Sequence, residues 1–579
     1  MDAAHDEPPR KPPGTREFTP RAVSAGMVVA VIMGAAYPYI VLKLGFGPNV
    51  SVVAAILGYL MLGILYRDFN RWENNIVQTA GTSASQTAFM CILLAAFDLL
   101  HQSRTVKFDF SPTPWQSFLW LAAASVLGLL LAVPLRRHFI VDEKLTYADG
   151  VAAGETIIVL DSRGAEARGA AMALLLGSIV SGVLWLLEQE AVGAHLPEVV
   201  ATTFFGLALP GMSAGFSVSL LSIGSGMIVG NRINISMGIG SMLSWVIGPH
   251  ILMHYGVIAE GARRNDVIYW VMWPATGMLI AGGLTALFLR WRVLARTFQS
   301  LRADAIRGDE FPLKWVIGGA LVSSAALVYI QEAYFGVAAW LTIISILLAL
   351  PLMLVGLRVL GETNWGPISQ ISNMMQALFA ALAPRNLMAN MGSSGTTGTI
   401  ATSSEAIMQD YKVGHMIGST PRYLTYMQLL AAPVGAAVVA YIYPVLRDVY
   451  GVGGNGLSAP ASVRWQGFAE ILSGGLSALP PDRMWAFLVG TAVGILLTLF
   501  ETRWKKWTPS PTGLGIGMLV PGAVVFTMVL GGIAGSIWAR VDPKRADKLS
   551  TPLASGLIAG EAIVAVVLAI ILFVVERSH

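Results

Sequence analysis

Charged residues are scarce in this sequence, and their scarcity limits the class of protein. Only 12% of the 579 residues are Asp, Glu, Lys or Arg, whereas a soluble domain carries about 25% charged residues. Hydrophobic residues make up 55% of the chain, and the mean hydropathy is +0.64. These values exclude an ordinary soluble domain, and we expect an all-α, polytopic integral membrane protein.

Cysteine and net charge are also low. Cys91 is the only cysteine, which excludes an intramolecular disulfide and a thiolate metal site. A formal net charge of +4 is too small to indicate a nucleic-acid partner. The chain contains no H-E-x-x-H or G-K-[ST] pattern, so zinc hydrolysis and ATP use lack support. We therefore expect a protein that is not an enzyme, with no catalytic residues, metal ligands or cofactor.

Apolar runs of membrane-spanning length recur along the whole chain. One helical span needs about 20 predominantly apolar residues, and roughly 13 stretches meet that requirement. Shorter or broken apolar pieces lie near 146–160, 201–229, 367–383 and 395–410. Such pieces are tolerated at membrane depth only where they are buried in protein or line a cavity. We expect some 14 to 16 helical spans with broken or re-entrant segments.

Polar segments divide the chain. Residues 1–20 are polar and proline-rich, and we expect a disordered tail that is cytoplasmic because basic residues precede the first span. Residues 301–313 belong to a basic connection that we interpret as a cytoplasmic linker between two membrane halves, 21–300 and 314–579. GVAAGETIIV at 150–159 matches GLIAGEAIVA at 556–565 at five of ten positions. The match indicates either related halves or a shared Gly/Ala-rich composition.

The most unusual stretch is 391–422, which begins with a Gly/Ser/Thr run that contains Ser394 and Thr397. It continues through Glu405 and Asp410 between long apolar segments. Small polar residues and carboxylates belong in hydrocarbon only where they face protein or water. This pattern predicts the lining of a path through the membrane.

Two further polar motifs favour the same role. Asn74, Asn75 and Gln78 open an apolar span, and Asn74 and Gln78 share a helix face. Their amides suit peptide-like groups, or they mark a polar helix start with close helix packing. Asp149 and Glu155 flank a Gly-broken segment. A carboxylate there costs about 2.5–3.5 kcal/mol to insert, so Glu155 either exchanges protons or holds a helix break.

A third motif, 216–249, contains Asn231 and Arg232 ahead of a Ser-rich span. Arg232 could grip a substrate carboxylate with two parallel hydrogen bonds. It could instead balance a buried acid, or lie at the membrane edge with its guanidinium in water.

Six blocks of the sequence resemble signature blocks of the oligopeptide transporter (OPT) family, and they occur in the family's order. The match is closest to the prokaryotic branch and to the plant yellow stripe-like metal-chelate transporters. The blocks are ENNIVQTAG at 73–81, LTYADGVAAGE at 145–155, GMIVGNRINISMGIGSMLSW at 226–245, EAIMQDYKVGHMIGSTPR at 405–422, GLGIGMLVPG at 513–522 and SGLIAGEA at 555–562.

The resemblance implies proton-coupled uptake of small peptides, modified peptides or metal chelates through a membrane protein of two related halves. The NPGPFN-type segment of the peptide-transporting branch does not occur here. This absence leaves the substrate open. From the resemblance we expect a symporter for small oligopeptides, with metal-chelate uptake as the alternative and a passive channel or an intramembrane enzyme ranked lower. The expected partners are this substrate, protons and the lipid of the inner cell membrane, with a homodimer as one arrangement.

The resemblance assigns a lining role to residues in the matched blocks. The predicted proton-coupling residues are Glu155 and its counterpart Glu561. The predicted substrate-binding residues are Asn74, Asn75, Gln78, Asp149, Asn231, Arg232, Ser394, Thr397, Glu405 and Asp410.

Overall fold

The computed structural model describes most of the chain in residue ranges separated by short gaps. The predicted linker 301–313 lies outside the described residues except at 311–313. The described residues are 9, 11–12, 14–45, 47, 50–66, 69–103, 106–161, 165–189, 199–200, 215–259, 264–289, 311–363, 366–453, 457–474, 481–504 and 507–578.

The described residues before 290 form helices, joined by one minimal ladder of two-residue strands, β1 (Val199–Val200) and β2 (Phe216–Ser217), which pair antiparallel. The α-helices are α1 (Pro20–Leu44), α2 (Val50–Leu65), α3 (Arg71–Ala88), α4 (Cys91–His101), α5 (Pro114–Ala132), α6 (Ala148–Asp161), α7 (Ala165–Glu188), α8 (Leu220–Val229), α9 (Asn231–Ser241), α10 (Gly248–His254) and α11 (Arg264–Leu289). A 3₁₀ turn (Val133–Leu135) and two π-helical segments (Arg137–Asp142 and Met242–Ile247) continue them.

The described residues after 310 are likewise helical. Their helices are α12 (Leu313–Phe335), α13 (Ala339–Thr363), α14 (Ile368–Leu382), α15 (Leu387–Ile417), α16 (Pro421–Tyr450), α17 (Pro460–Gly474), α18 (Pro481–Trp504), α19 (Pro511–Leu519), α20 (Gly522–Val541) and α21 (Pro543–Ser578).

The prediction of an all-α polytopic membrane protein is confirmed. Eleven helical stretches in the described part of the chain are long and apolar enough to cross a membrane. The expected 14 to 16 spans exceed this number because several helices are too short or too polar to qualify. Val50–Ile64 and Leu220–Val229 are shorter apolar helices. Helix α15 has 31 residues, about 46 Å of helix, but its Gly/Ser/Thr-rich sequence is not apolar.

Helix α15 lies at the centre of the protein. Every residue from Ala389 to Tyr411 is buried, and the helix packs against α3, α5, α6, α13, α14 and α16. Glycine permits the closest of these contacts, because a Cβ on Gly128 of α5 would lie 2.4 Å from the Ile400 carbonyl oxygen. Asn386 caps the start of α15 by accepting from Ala389 N, and Gly418 ends it with a left-handed φ of 78°.

Outer helices pair through small residues. A Cβ on Gly560 of α21 would lie 2.1 Å from the Ser178 carbonyl oxygen of α7, and one on Gly556 would lie 2.3 Å from that of Leu174. These two glycines form a G-x-x-x-G pattern, which lets helix backbones approach closely in a membrane. Contacts of this kind fix the two helices as one unit.

Part of the segment expected to be a disordered tail makes defined contacts. Glu17 is buried and accepts hydrogen bonds from the Thr420 amide (2.8 Å) and hydroxyl (2.7 Å) in the turn after α15. Arg21 donates twice to Glu73 of α3, at 2.7 Å each. Thr19 Oγ1, just before α1, also donates to Glu73 at 2.6 Å. The residues around the start of α1 therefore contact the start of α3 and the turn after α15.

Candidate functional site

The two carboxylates of α15 lie on different sides of the helix. Five helical residues correspond to about 140° of rotation, so Glu405 and Asp410 face different neighbours. A Cβ on Gly366, just before α14, would lie 2.2 Å from Glu405 Oε2. Asp410 faces α3 and α16, where its hydrogen-bond partners lie. The structure thus gives α15 two separate acidic positions.

Asp410 is held by neutral amides. Its carboxylate is fully buried (0% exposed) and accepts from Gln78 Nε2 at 2.7 Å and from Gln428 Nε2 of α16. Gln78 Nε2 also donates to Thr82 Oγ1 at 2.8 Å. Among the described residues, no Lys, Arg or His nitrogen lies within 4.0 Å of this carboxylate. A buried carboxylate with amide donors and no cation is a position that can take up a proton.

The other two predicted residues of α3 face different helices. Asn75 Nδ2 donates to Ser419 Oγ at 2.9 Å, in the turn between α15 and α16. Asn74 is buried, and its Oδ1 has no hydrogen-bond partner among the described residues; a Cβ on Gly58 of α2 would lie 2.4 Å from this oxygen. The structure therefore brings Asn75, Gln78 and Asp410 to the region where α3 meets α15, and it places the Asn74 amide against α2.

A second polar group lies where α14, α15 and α17 meet, and we call it the α14–α15–α17 cluster. Ser369, Ser372, Asn373 and Gln376 follow the i, i+3, i+4, i+7 spacing of one helix face. The Asn390 side-chain Nδ2 of α15 donates to the backbone carbonyl of Gln376 at 2.6 Å. The cluster comprises these side chains with Ser394, Thr397 and Glu405 of α15 and Ser462, Arg464 and Trp465 of α17.

This cluster contains many buried polar atoms without partners. Most buried polar groups in proteins are hydrogen-bonded, so a concentration of exceptions needs an explanation. Thr397 is satisfied, because its hydroxyl donates to the Ser393 carbonyl at 2.9 Å. The atoms without a partner in the described structure include Ser372 Oγ, Asn373 Oδ1, Gln376 Oε1, Asn390 Oδ1, Ser394 Oγ, Glu405 Oε1, Ser462 Oγ, Arg464 Nε and Trp465 Nε1. Groups arranged in this way suit a polar ligand that passes between the three helices.

Asn231 and Arg232 lie elsewhere. Arg232 forms a salt bridge with Glu501 of α18 (2.8 Å) and donates to the Thr508 carbonyl at 3.1 Å. Asn231 donates to Ser536 of α20 at 2.6 Å. Arg232 also lines a cavity of about 720 Å³ between α9, α11, α18 and α19. Its charge is balanced by Glu501, which is 26% exposed and so is not the buried acid of the sequence-based alternative.

The two predicted proton-coupling residues have different surroundings. Glu155 lies on an exposed face of α6. Glu561 is fully buried, and it forms a 2.8 Å salt bridge with Lys43 of α1. Asp149 is half-buried on α6, which packs on α15 through Gly150: a Cβ there would lie 2.6 Å from the Gln409 carbonyl oxygen. The structure does not give the paired glutamates equivalent positions.

Sequence reasoning missed the polar face of α14, Gln428 and Arg464. The face of α14 was readable, because ISQISNMMQ at 368–376 places polar residues at helical spacing. Gln428 gave no local signal, since its role depends on Asp410, 18 residues earlier. Arg464 is an isolated cation in an otherwise neutral run, and only its surroundings mark it as unusual.

A multi-pass helical bundle whose central helix is buried and polar on both sides defines a membrane transport protein by class. The chain belongs to the family described as OPT oligopeptide transporter protein, which it matches over residues 17–572. It is 26% identical to a probable metal-nicotianamine transporter, YSL16 of Oryza sativa subsp. japonica, covering 97% of this chain and 92% of that protein.

Two further plant relatives cover similar shares. The iron-phytosiderophore transporter yellow stripe 1 of Zea mays is 25% identical over 93% of this chain and 88% of its own length. The metal-nicotianamine transporter YSL2 of Arabidopsis thaliana is 24% identical over 96% and 93%, respectively. The predicted membership of the OPT family and the predicted relation to yellow stripe-like transporters are confirmed.

Proposed function

We propose that this protein is a proton-coupled transporter that carries metal complexes of small amino-carboxylate chelators. The relatives named for metal-nicotianamine and iron-phytosiderophore transport support this substrate class over the oligopeptides that we first expected. The structural observation that carries the proposal is the α14–α15–α17 cluster, where three helices in contact carry buried amide, hydroxyl and charged groups without hydrogen-bond partners among the described residues. These groups suit a compact, highly polar solute.

Within this proposal, Asp410 carries the coupled proton. Its carboxylate has amide partners but no cation among the described residues, so adding or removing a proton changes the local charge directly. Glu561 suits this role less well, because its charge is balanced by Lys43. Glu155 suits it less well because its side chain lies on an exposed face.

The test uses proteoliposomes loaded with a pH-sensitive dye, with an imposed membrane potential and labelled iron–nicotianamine outside. One charge moved through 100 mV contributes about 2.3 kcal/mol, which corresponds to roughly 50-fold accumulation. We expect accumulation of this order with acidification of the lumen. Asp410→Asn keeps the shape and one amide acceptor, so it should retain exchange of labelled for unlabelled substrate but lose accumulation against the gradient. Glu155→Gln is the matched control and should behave as the wild type.

Two outcomes would contradict the proposal. Uptake of di- to hexapeptides in place of the chelate would make the substrate class wrong. An Asp410→Asn variant that still accumulates substrate about 50-fold per 100 mV would remove Asp410 from the coupling.

We also propose that the protein lies in the cell membrane with a cytoplasmic N-terminus, as two membrane halves joined near residue 300, and forms homodimers. Arg16 before the first span and Arg21 at its start support the orientation. Cys91 is buried and is the only cysteine, so a cysteine introduced at residue 5 can be labelled selectively. Labelling of intact cells by an impermeant maleimide would make the orientation wrong, and a monomeric mass in detergent would count against the dimer.

A further inference from the structure

We propose that Arg464, together with Ser369 and the first turn of α14, binds a carboxylate group of the transported substrate. This inference rests on the proposed function, because it assigns a position within the α14–α15–α17 cluster to one chemical group of the chelate. The sequence analysis did not identify Arg464, and its role follows from its surroundings.

Arg464 carries a buried charge that no described carboxylate balances. An arginine side chain stays protonated in proteins, and a lone charge in the interior carries a desolvation cost of several kcal/mol. Arg464 is only 5% exposed, yet among the acidic residues whose side chains are described, which leaves out Glu362, no carboxylate lies within 4.0 Å of its nitrogens. Other largely buried cations are paired: Lys43 binds Glu561, and Arg358 binds Glu143 at 2.9 Å. No described side chain therefore supplies the counter-charge of Arg464, and a carboxylate of a ligand would supply it.

The Arg464 guanidinium contacts the first turn of α14. Arg464 Nη2 donates to Ser369 Oγ, and Ser369 is the second residue of α14. The first N–H groups of a helix have no partner within it and carry partial positive charge. Helix α14 starts after Pro367, without a side-chain cap. The guanidinium and these N–H groups thus converge at one point, where a carboxylate can accept from both.

A buried acid, Glu405, lies close to the same end of α14. Glu405 is 7% exposed, its Oε1 has no partner, and its Oε2 lies against Gly366. Gly366 and Ser369 are three residues apart, so their Cα atoms are separated by at most about 11 Å. A small molecule that carries a carboxylate and a cationic centre can meet both charges. Amino-carboxylate chelates have this character, and so do zwitterionic peptides.

The experiment measures binding to the purified full-length protein in nanodiscs. The probes are iron–nicotianamine and a dipeptide with and without C-terminal amidation, because amidating the chelator would remove its own iron ligands. Arg464→Gln removes the charge and keeps an amide donor. The matched control is Arg447→Gln, because Arg447 is paired with Asp98 and Asp448 at the end of α16.

For Arg464→Gln we expect an affinity loss of about 30-fold to several thousandfold for the probe that the wild type binds. Amidation of the dipeptide should weaken wild-type binding to a similar degree and have little further effect on Arg464→Gln. Arg447→Gln should bind as the wild type. If Arg464→Gln binds that probe as tightly as the wild type does, the carboxylate site is wrong even though transport of the chelate stands.

Thermal denaturation without substrate gives a second, independent readout. Because no described side chain gives the guanidinium a counter-charge, Arg464→Met should melt at the same temperature as the wild type or higher. An Arg464→Met protein that melts lower or does not fold would show that the guanidinium has a structural partner, and would overturn the assignment. If the wild type binds only the dipeptide, the proposed chelate substrate fails, while the amidation comparison on the dipeptide still decides the carboxylate site.

Discussion

The buried ion pair between Lys43 and Glu561 connects three helices, and removing one partner should be costly. Glu561 Oε1 of α21 accepts from Lys43 Nζ of α1 at 2.8 Å. Its Oε2 accepts from Ser219 Oγ at 2.6 Å and from the Leu221 amide at 3.1 Å, at the start of α8. The Glu561 side chain is 0% exposed and the Lys43 side chain is 13% exposed. Glu561→Gln keeps an acceptor for α8 but removes the carboxylate that binds Lys43, whose charge lies largely away from water.

The expected cost of this change follows from the burial of both charges. Breaking a buried pair on one side costs about 3–5 kcal/mol, a change of roughly 150- to 5000-fold in the folded-to-unfolded ratio. Lys43→Met should cost a similar amount, since it leaves the Glu561 charge buried. Replacing both residues, as Lys43→Met with Glu561→Leu, should cost much less than the sum of the single changes, because no charge then remains unpaired.

The assay is reversible unfolding of the purified protein in mixed micelles of dodecyl maltoside and sodium dodecyl sulfate, followed by circular dichroism. A single-variant cost below about 1 kcal/mol, as for exposed pairs, would refute the reasoning, as would additive costs in the double variant. The double variant should also still accumulate substrate. If it loses accumulation although it is stably folded, Glu561 takes part in coupling as the sequence analysis proposed.

Three further changes test the packing and the polar contacts. Gly560→Val should destabilise the protein by about 1–3 kcal/mol or more, because its Cβ would lie 2.1 Å from the Ser178 carbonyl oxygen, and the melting temperature should fall. Gly336→Ala is the control for backbone strain alone, since its Cβ meets open space at a left-handed φ of 64°. Thr396→Val should cost about 1–3 kcal/mol of stability for each buried donor left unpaired, since Thr396 Oγ1 accepts from Trp120 Nε1 at 2.9 Å and from Gln331 Nε2 at 2.6 Å. Thr396→Ser keeps the hydroxyl and should retain most of the wild-type stability. Glu73→Gln should cost about 1.5–3 kcal/mol through its two bonds from Arg21, and an unchanged urea midpoint would contradict this.

The sequence predicts the class of the protein and its central polar helix because both depend on composition and local order. A Gly/Ser/Thr run followed by two carboxylates can lie at membrane depth only inside protein, and α15 is indeed buried along almost its whole length. The polar start of α3 could be placed near α15 for the same reason. What local sequence does not provide is which way each side chain points.

The two matched glutamates show this limit. Glu155 and Glu561 follow the same A-G-E pattern, yet one side chain is exposed and the other meets Lys43, 518 positions away in the chain. Helix α6 is apolar over much of its length, so no polar face indicated its orientation. Arg464 could not be singled out either. Arg464 is unusual because no described carboxylate lies beside it, and this can be seen only once the neighbouring helices are in place.

The polarity of α15 has a consequence for how the chain enters the membrane. A helix this rich in Gly, Ser and Thr, with two carboxylates, does not partition into hydrocarbon as a single segment. Helices α3 and α5 precede it in synthesis, but Gln428 of α16 and Arg464 of α17 are made after it. Its stable insertion therefore depends on helices on both sides of it in the sequence. In a chain that stops at residue 417, a cysteine placed in this segment should react with a water-soluble maleimide, and in a chain that continues to residue 474 the same cysteine should be protected.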